Sequence, residues 1–363
     1  MARGYNAMAD ILKATVDGQD LNALWAEFQQ TLTLQNDART ALASLFTFNT
    51  TLASELVAQS LGGDGFEEAS EYGVPTSLRA DAETIKLGYP LKWYDKATRF
   101  TWKFLATASA AQVSAIHAAA IAADNKLVFD KIMRRVFNPA TTVNEDGTNV
   151  FGFWNGTDGP PPANQWGETF APTYTHYRTS GAATLASADV DELVAAVNSQ
   201  GFGLRENGDR VIVLANPAEA DRIAGFRVAN GDKFDAIPTT DAPADIATDG
   251  PIDGDRPPGS FNGLAVKCGY GDAWVVGDRG IPAGYIVALA TGGPNSIRNP
   301  LGFRESVQPE LQGLVQIPGG SQNYPLIDSY YTRGFGVGVR QRGAGAVMQV
   351  TANATYTAPA LYV

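Results

Sequence analysis

The sequence predicts an α+β protein made of separate helical and strand-rich stretches. Three observations carry that prediction. The N-terminal stretch has apolar residues at helical spacing, a period-two ribbon runs directly into one very long helix, and the second half is dominated by short strands between Gly and Pro turns. At 363 residues the chain has room for two domains or one elaborate one. With 44% hydrophobic and 18% charged residues, it carries enough apolar surface to fold and too little charge for intrinsic disorder.

Residues 20 to about 60 read as helical. Asp20 is placed to cap a helix whose apolar positions are Leu21, Leu24, Trp25, Phe28 and Leu32, and a second helical segment carries Leu42, Leu45, Phe46 and Leu56 before Gly62-Gly63. An acidic patch of Asp64, Glu67, Glu68 and Glu71 follows. From residue 83 to 105 the period changes to two: Ile85, Leu87 and Tyr89 alternate with polar residues, as do Phe100, Trp102 and Phe104. Tyr94-Asp95-Lys96-Ala97 between these runs predicts a long β-hairpin. Lys86, Lys92, Lys96, Arg99 and Lys103 make this ribbon locally basic. A lone two-stranded ribbon is marginal in water, so its aromatic face should lie on something else.

Ser109 then starts a helix that runs to Phe137, with Val113, Ile116, Ala120, Leu127, Ile132 and Val136 as its apolar stripe and Lys131, Arg134 and Arg135 at its negative end. Half of the uncharged stretch 104–123 is alanine, and Thr107, Ser109, Gln112, Ser114 and His117 interrupt it, which is too little apolar bulk for a spanning helix. The first residues lack the apolar core of a signal peptide. Loops and short strands are expected over 139–180, then a helix from Ser187 to Asn198. A buried strand, Arg210 to Ala215, turns at Asn216-Pro217 into a second helix, with Glu219 in its first turn. A Pro-, Gly- and Asp-dense loop covers 238–262. Strands are expected at 264–268, 273–276 and 285–290, and again over 326–356.

Chemistry-bearing motifs are few. A net charge of −11 and a pI near 4.7 argue against general nucleic-acid binding, which needs a basic surface. The single Cys268 excludes an internal disulfide and a Cys-based zinc site, and His117 and His176 lie too far apart in sequence for a His-pair metal motif. No phosphate-binding Gly-rich loop or nucleophile elbow is present; Gly334-Phe-Gly336-Val-Gly338 has no helix after it and reads as a turn or bulge. Asp249, Asp253 and Asp255 have the wrong spacing for a calcium loop. His117 reads as a packed or surface histidine, His176 as a strand residue between Tyr174 and Tyr177, and Cys268 as a small core residue rather than a nucleophile. Neither catalytic residues, a metal nor a cofactor is expected.

The order of elements, closed by Tyr330-Tyr-Thr-Arg-Gly334, Gln341-Arg342 and 344–350, resembles the HK-97-type major capsid proteins of tailed bacteriophages over nearly the whole chain. The resemblance implies an N-terminal arm (1–63), an extended hairpin called the E-loop (64–105), a peripheral P-domain with a long spine helix (106–194), an axial A-domain (195–325) and closing P-domain strands (326–363). It implies no catalysis. The expected partners are further copies of the chain in hexamers and pentamers, a scaffolding protein, a portal and decoration proteins, with packaged DNA as loosely contacted cargo and no membrane. Assembly would take place in the host bacterial cytoplasm and end in the virion capsid. The chain begins near the arm, as in members with a separate scaffold or in mature forms. The residues expected at inter-subunit contacts are Glu67, Glu68, Glu71, Lys92, Trp93, Lys96, Arg99 and Trp102. Lys–Asn crosslinks, known in some members, would draw on Lys92 or Lys96 and Asn353, but no catalytic Glu aligns. The 238–262 loop is the expected surface at the symmetry axes. Two other readings compete: an encapsulin-type cellular shell, for which the chain is long, and a β-rich carbohydrate-active enzyme using the aromatic loop Phe151-Gly-Phe-Trp154.

Overall fold

A computed structural model describes residues 12–38, 40–58, 68–69, 71, 73–74, 84–162, 173–242, 256–319 and 328–363. In chain order, the first elements are α1 (Leu21–Ala38), α2 (Ala41–Phe46), β1 (Thr47–Thr50), β2 (Ser54–Ala58), β3 (Thr84–Gly88), β4 (Lys92–Arg99), α3 (Trp102–Thr107) and α4 (Ala110–Phe137). They are followed by β5 (Thr142–Val143), β6 (Asn149–Val150), β7 (Tyr177–Thr179), α5 (Ser187–Asn198), β8 (Arg210–Ala215), α6 (Pro217–Ala224) and β9 (Ile237–Pro238). The remaining strands are β10 (Ser260–Phe261), β11 (Leu264–Ala265), β12 (Cys268–Tyr270), β13 (Ala273–Gly277), β14 (Tyr285–Thr291), β15 (Leu301–Glu305), β16 (Val315–Pro318), β17 (Asp328–Val339) and β18 (Gly345–Gln349). The chain divides into two compact units, one of Met1–Thr40, Leu91–Lys131 and Arg304–Gly336, the other of Ala41–Pro90, Ile132–Phe303 and Val337–Val363.

In the first unit, the Asp20 carboxylate accepts from the N–H groups of Asn22 (2.8 Å) and Ala23 (3.1 Å), the expected cap of α1. Leu21, Leu24 and Phe28 join Phe100, Leu105, Ala108 and Val113 in one cluster. Asp17 accepts from the N–H of Ala110 at the start of α4 (3.0 and 3.1 Å), a negative charge where the helix dipole favours one. At 28 residues, α4 extends roughly 42 Å. Its buried side holds Val113, His117, Ala120 and Asp124, whereas Ile116 is exposed, contrary to the stripe expected from sequence. The sheet of this unit pairs β17 with β16 on one side and with β4 on the other, Asp328 opposite Arg99 and Phe335 opposite Lys92.

That pairing corrects the predicted hairpin. Tyr94–Ala97 is not a turn but the middle of β4, and its partner is β17, far along the chain. Phe100, Trp102 and Phe104 do not continue a strand either. Thr101 Oγ1 accepts from the N–H of Phe104 (3.2 Å) and starts α3, so that Phe100 and Phe104, four apart, stack at 5.6 Å. The actual two-stranded ribbon is β2 with β3, from Ser54 opposite Gly88 to Ala58 opposite Thr84. Residues 47–58 are therefore strands rather than helix. The β-branched run Thr47, Thr50 and Thr51 disfavours helix, and Leu56, expected on a buried helical face, points outward from β2.

In the second unit, a seven-stranded sheet has the order β7-β18-β14-β8-β13-β12-β9. β8 runs parallel to β13 and antiparallel to β14, and Val211 through Ala215 are fully buried. The β8–α6 junction forms as the sequence predicts: the Asn216 side chain accepts from the N–H of Ala218 (3.3 Å), with Pro217 in the first turn. α5 also matches its predicted span. Arg135 caps the far end of α4 by donating to the carbonyls of Asn138 (2.6 Å) and Ala140 (2.9 Å), while Tyr356 donates to that of Phe137 (2.8 Å). The base of the β2–β3 ribbon is clamped by Arg340, bidentate on Glu55 (2.8 and 3.0 Å), which also accepts from Tyr89 (3.0 Å). Ile85 and Leu87 pack with Phe151 beneath it.

Candidate functional site

The face of the first unit's sheet that carries Trp93 is the most prominent exposed apolar surface among the residues expected to make contacts. Cross-strand partners share a face, so Trp93 and Gly334, Ala97 and Tyr330, and Arg99 and Asp328 stand together, with Ile317 opposite Tyr330 on the next strand. Trp93, Tyr330 and Ile317 are 47%, 37% and 42% exposed. The Trp93 ring lies directly over the backbone of Gly334, where a Cβ would come within 2.6 Å of it. In the second unit, Gly338 gives the same clearance to Tyr89, whose ring would meet a Cβ at 2.8 Å. The Gly334–Gly338 run is thus a strand interior that admits two large rings, not a turn or bulge.

The other predicted contact residues are distributed. Lys92 and Lys96 are exposed on the opposite face of β4 from Trp93, and Arg99 pairs with Asp328 at 3.4 Å. Trp102, 51% exposed, is the first residue of α3, with the Lys103 ammonium 5.8 Å from its ring centroid. Lys86 is on β3, so the basic residues do not share one ribbon. Glu68 and Glu71 are exposed and form no ion pair among the described residues; Glu67, Asp64, Asp249, Asp253 and Asp255 lie outside those residues. Tyr330 and Ile317 were missed by sequence reasoning, because only the register of β16 on β17 places them beside Trp93.

Under that face, the sheet is tied to α4 by a buried charged cluster. Arg333 donates to Asp124 at 2.7 Å and lies 3.6 Å from Glu305. Burial raises the Asp124 carboxyl and the Arg333 charge opposes the rise. His117 Nδ1 is 2.6 Å from the Tyr331 hydroxyl and its ring stacks on Phe28 at 4.1 Å; burial pushes its pKa down. In the second unit, His176 is buried against the Gly345 carbonyl (2.7 Å) and burial lowers its pKa to about 4. Burial raises the Cys268 thiol to about 12. All three are buried: Cys268 is in the core as expected, and of the two positions open to His117, packed or surface, the structure has the packed one. Among the described residues, no group of three or more His, Cys, Asp or Glu is arranged to hold a metal, and no helix is long and apolar enough to cross a membrane.

The aromatic loop offered as a sugar platform is internal. Phe151, Phe153 and Trp154 are buried, and the Arg342 guanidinium lies 4.7 Å from the Phe151 ring centroid and 4.9 Å from that of Trp154. Arg342 donates to the carbonyls of Asp158 (2.6 Å) and Pro160 (3.0 Å), holding the loop shut. Its rings are therefore not available to stack on a sugar.

No protein-family profile and no curated protein sequence matches the chain. A solved structure from Mycobacterium phage Patience does, with a TM-score of 0.72 and 36% sequence identity, covering 100% of this chain and 98% of that one. The chain belongs to the HK-97-type major capsid proteins of tailed phages. This capsid protein is a self-assembling icosahedral shell subunit. Other matches are the capsid of a native GTA particle (16% identity, 86% of this chain and 91% of that chain, TM-score 0.47) and an encapsulin complex from Synechococcus elongatus PCC 7942 (12%, 87% and 89%, 0.46).

Proposed function

We propose that the chain builds the head of a tailed phage as hexamers and pentamers around double-stranded DNA, and that the Trp93–Tyr330–Ile317 face and Trp102 are buried between copies. The observation that carries this reading is the full-length 36% identity to the phage Patience structure. It is supported by exposed aromatic residues that a monomer has no reason to keep. On this reading the β2–β3 ribbon and the residues between its strands are the E-loop, β4 belongs to the P-domain sheet with β17, α4 is the spine and the seven-stranded sheet is the core of the A-domain. The partners are a scaffolding protein, a portal and decoration proteins. Assembly takes place in the host bacterial cytoplasm, and the genome is held as cargo by a subunit whose charge of −11 does not grip it tightly.

The test is electron microscopy and sedimentation of the full chain co-expressed with the scaffold of its phage. Capsomers or megadalton shells are expected. A stable monomer under those conditions would refute the reading.

A further inference from the structure

The seven-stranded sheet carries a cationic pocket that the core of the second unit does not use. Val211 and Val213 of β8 face that core, so Arg210 and Ile212 face the other way, and the parallel register puts Trp274 of β13 beside Ile212 on the same side. The Arg210 guanidinium lies 4.3 Å from the Trp274 ring centroid, which fixes its plane and leaves its N–H edge free to donate. Gly269 lets Pro257 lie against β12, since a Cβ there would come within 3.2 Å of the proline ring, and the Pro257 carbonyl accepts from the N–H of Thr240 (3.0 Å). This anchors Arg256 at the mouth. Arg205 enters from the third side, donating to the Gly271 carbonyl (3.2 Å) and paired with Asp272 (3.3 Å). The three arginines line a cavity of about 330 Å³.

The charge there is unbalanced. Asp272 pairs with Arg205, and neither Arg210 nor Arg256 has an ion pair among the described residues. Burial, and then the neighbouring Arg205 charge, make Arg210 easier to deprotonate than an ordinary arginine, as a group short of an anion should be. In a chain of 38 acidic and 27 basic residues, three arginines lining one cavity with a single carboxylate beside them among the described residues are an exception to the general charge.

We infer that this pocket is an oxyanion site that takes a phosphate group. Three planar guanidinium forks around one cavity match the several oxygens of a phosphate dianion, while one carboxylate would satisfy only one of them. Arg210 covers one face of Trp274 and the Phe261 ring meets it edge-to-face at 4.9 Å, so recognition falls on the phosphate rather than on a stacked base. The phosphate can come from a free nucleotide or from the backbone of DNA.

The experiment is calorimetric titration of the full-length subunit with pyrophosphate, followed by competition with a nucleotide and with a short single-stranded oligonucleotide. One saturable site per chain is expected, weakened about tenfold or more by Arg210→Gln and by Arg256→Gln and unchanged by Lys126→Gln in the first unit. Arg256 is exposed and has no side-chain bond among the described residues, so its variant tests the site without unfolding the chain. Displacement by the oligonucleotide identifies the DNA backbone as the source, displacement by the nucleotide alone a free nucleotide, and either upholds the inference. No saturable binding at millimolar pyrophosphate, or equal binding by the arginine variants, overturns it. So does an assembly defect in Arg210→Gln without pyrophosphate binding, which would assign the pocket to carboxylates of another copy.

Discussion

Acid sensitivity of the subunit should depend strongly on His176. Its ring is fully buried, Nδ1 donates to the Gly345 carbonyl at 2.7 Å, and Nε2 has no hydrogen-bond partner among the described residues. Protonation would place a charge on that buried nitrogen, and burial accordingly lowers the pKa from 6.5 to about 4. Between those values the unfolded chain binds a proton that the folded chain refuses. Stability is therefore full above pH 6.5 and falls as the pH drops towards 4. The gap, at about 1.4 kcal/mol per pH unit, comes to about 3 kcal/mol, a large share of a domain's net stability. The assay is urea unfolding of the unassembled subunit from pH 7 to 4.5, for the native chain and for His176→Gln, whose side-chain amide can still donate to Gly345. The native chain should lose more stability than the variant over that range. The chain has two histidines, so the imidazole proton signals can be followed by NMR alongside. Parallel pH profiles, or both imidazoles of the folded chain titrating near 6.5, would show the reasoning to be wrong. Burial lowers His117 as well, so part of the native slope persists in the variant.

Arg333→Met leaves the buried Asp124 and Glu305 carboxylates without their cation and should cost about 3–5 kcal/mol, whereas Arg333→Met with Asp124→Leu should cost clearly less; chemical denaturation of both variants checks the difference. Trp93→Ser should abolish or slow shell formation, measured by sedimentation, while moving the unfolding midpoint of the subunit by no more than about 1 kcal/mol, since nearly half of the side chain is exposed. Cys268, buried with its thiol raised to about 12, should not react with a thiol reagent at pH 8 in the folded subunit and should react at once in denaturant; rapid labelling of the folded chain would contradict its place in the core.

The parts of the fold that local chemistry decides were legible in the sequence. Asp20 before a stripe of leucines, Asn216-Pro217 after a run of buried aliphatics, and α4 itself all form where their residues indicate. What failed was partner choice. A period of two identifies β3 as a strand but does not show that Tyr94–Ala97, the segment read as the hairpin turn, is itself the middle of a strand paired with β17. That choice rests on Trp93 fitting over Gly334 and Tyr331 reaching His117, contacts between residues far apart in the chain. The same limit hid the candidate site. Trp93 and Trp102 could be singled out as large rings in a strand-like segment, but Tyr330 and Ile317 join the Trp93 face only through register. The second error was local: Leu56 fits a helical spacing from Leu45, and only the outward side of β2 explains an exposed leucine there.

Each compact unit is stitched together from three separated stretches of sequence. During synthesis, the first unit lacks the strand β17 between β4 and β16 until residues 328–336 have been made, and the sheet of the second lacks β18 between β7 and β14 until 345–349 have followed. A nascent chain therefore carries neither unit complete until β17 and β18 have emerged from the ribosome. Copies synthesised only as far as β16 cannot offer a neighbour a finished sheet, so shell growth draws on chains that have been made through β18.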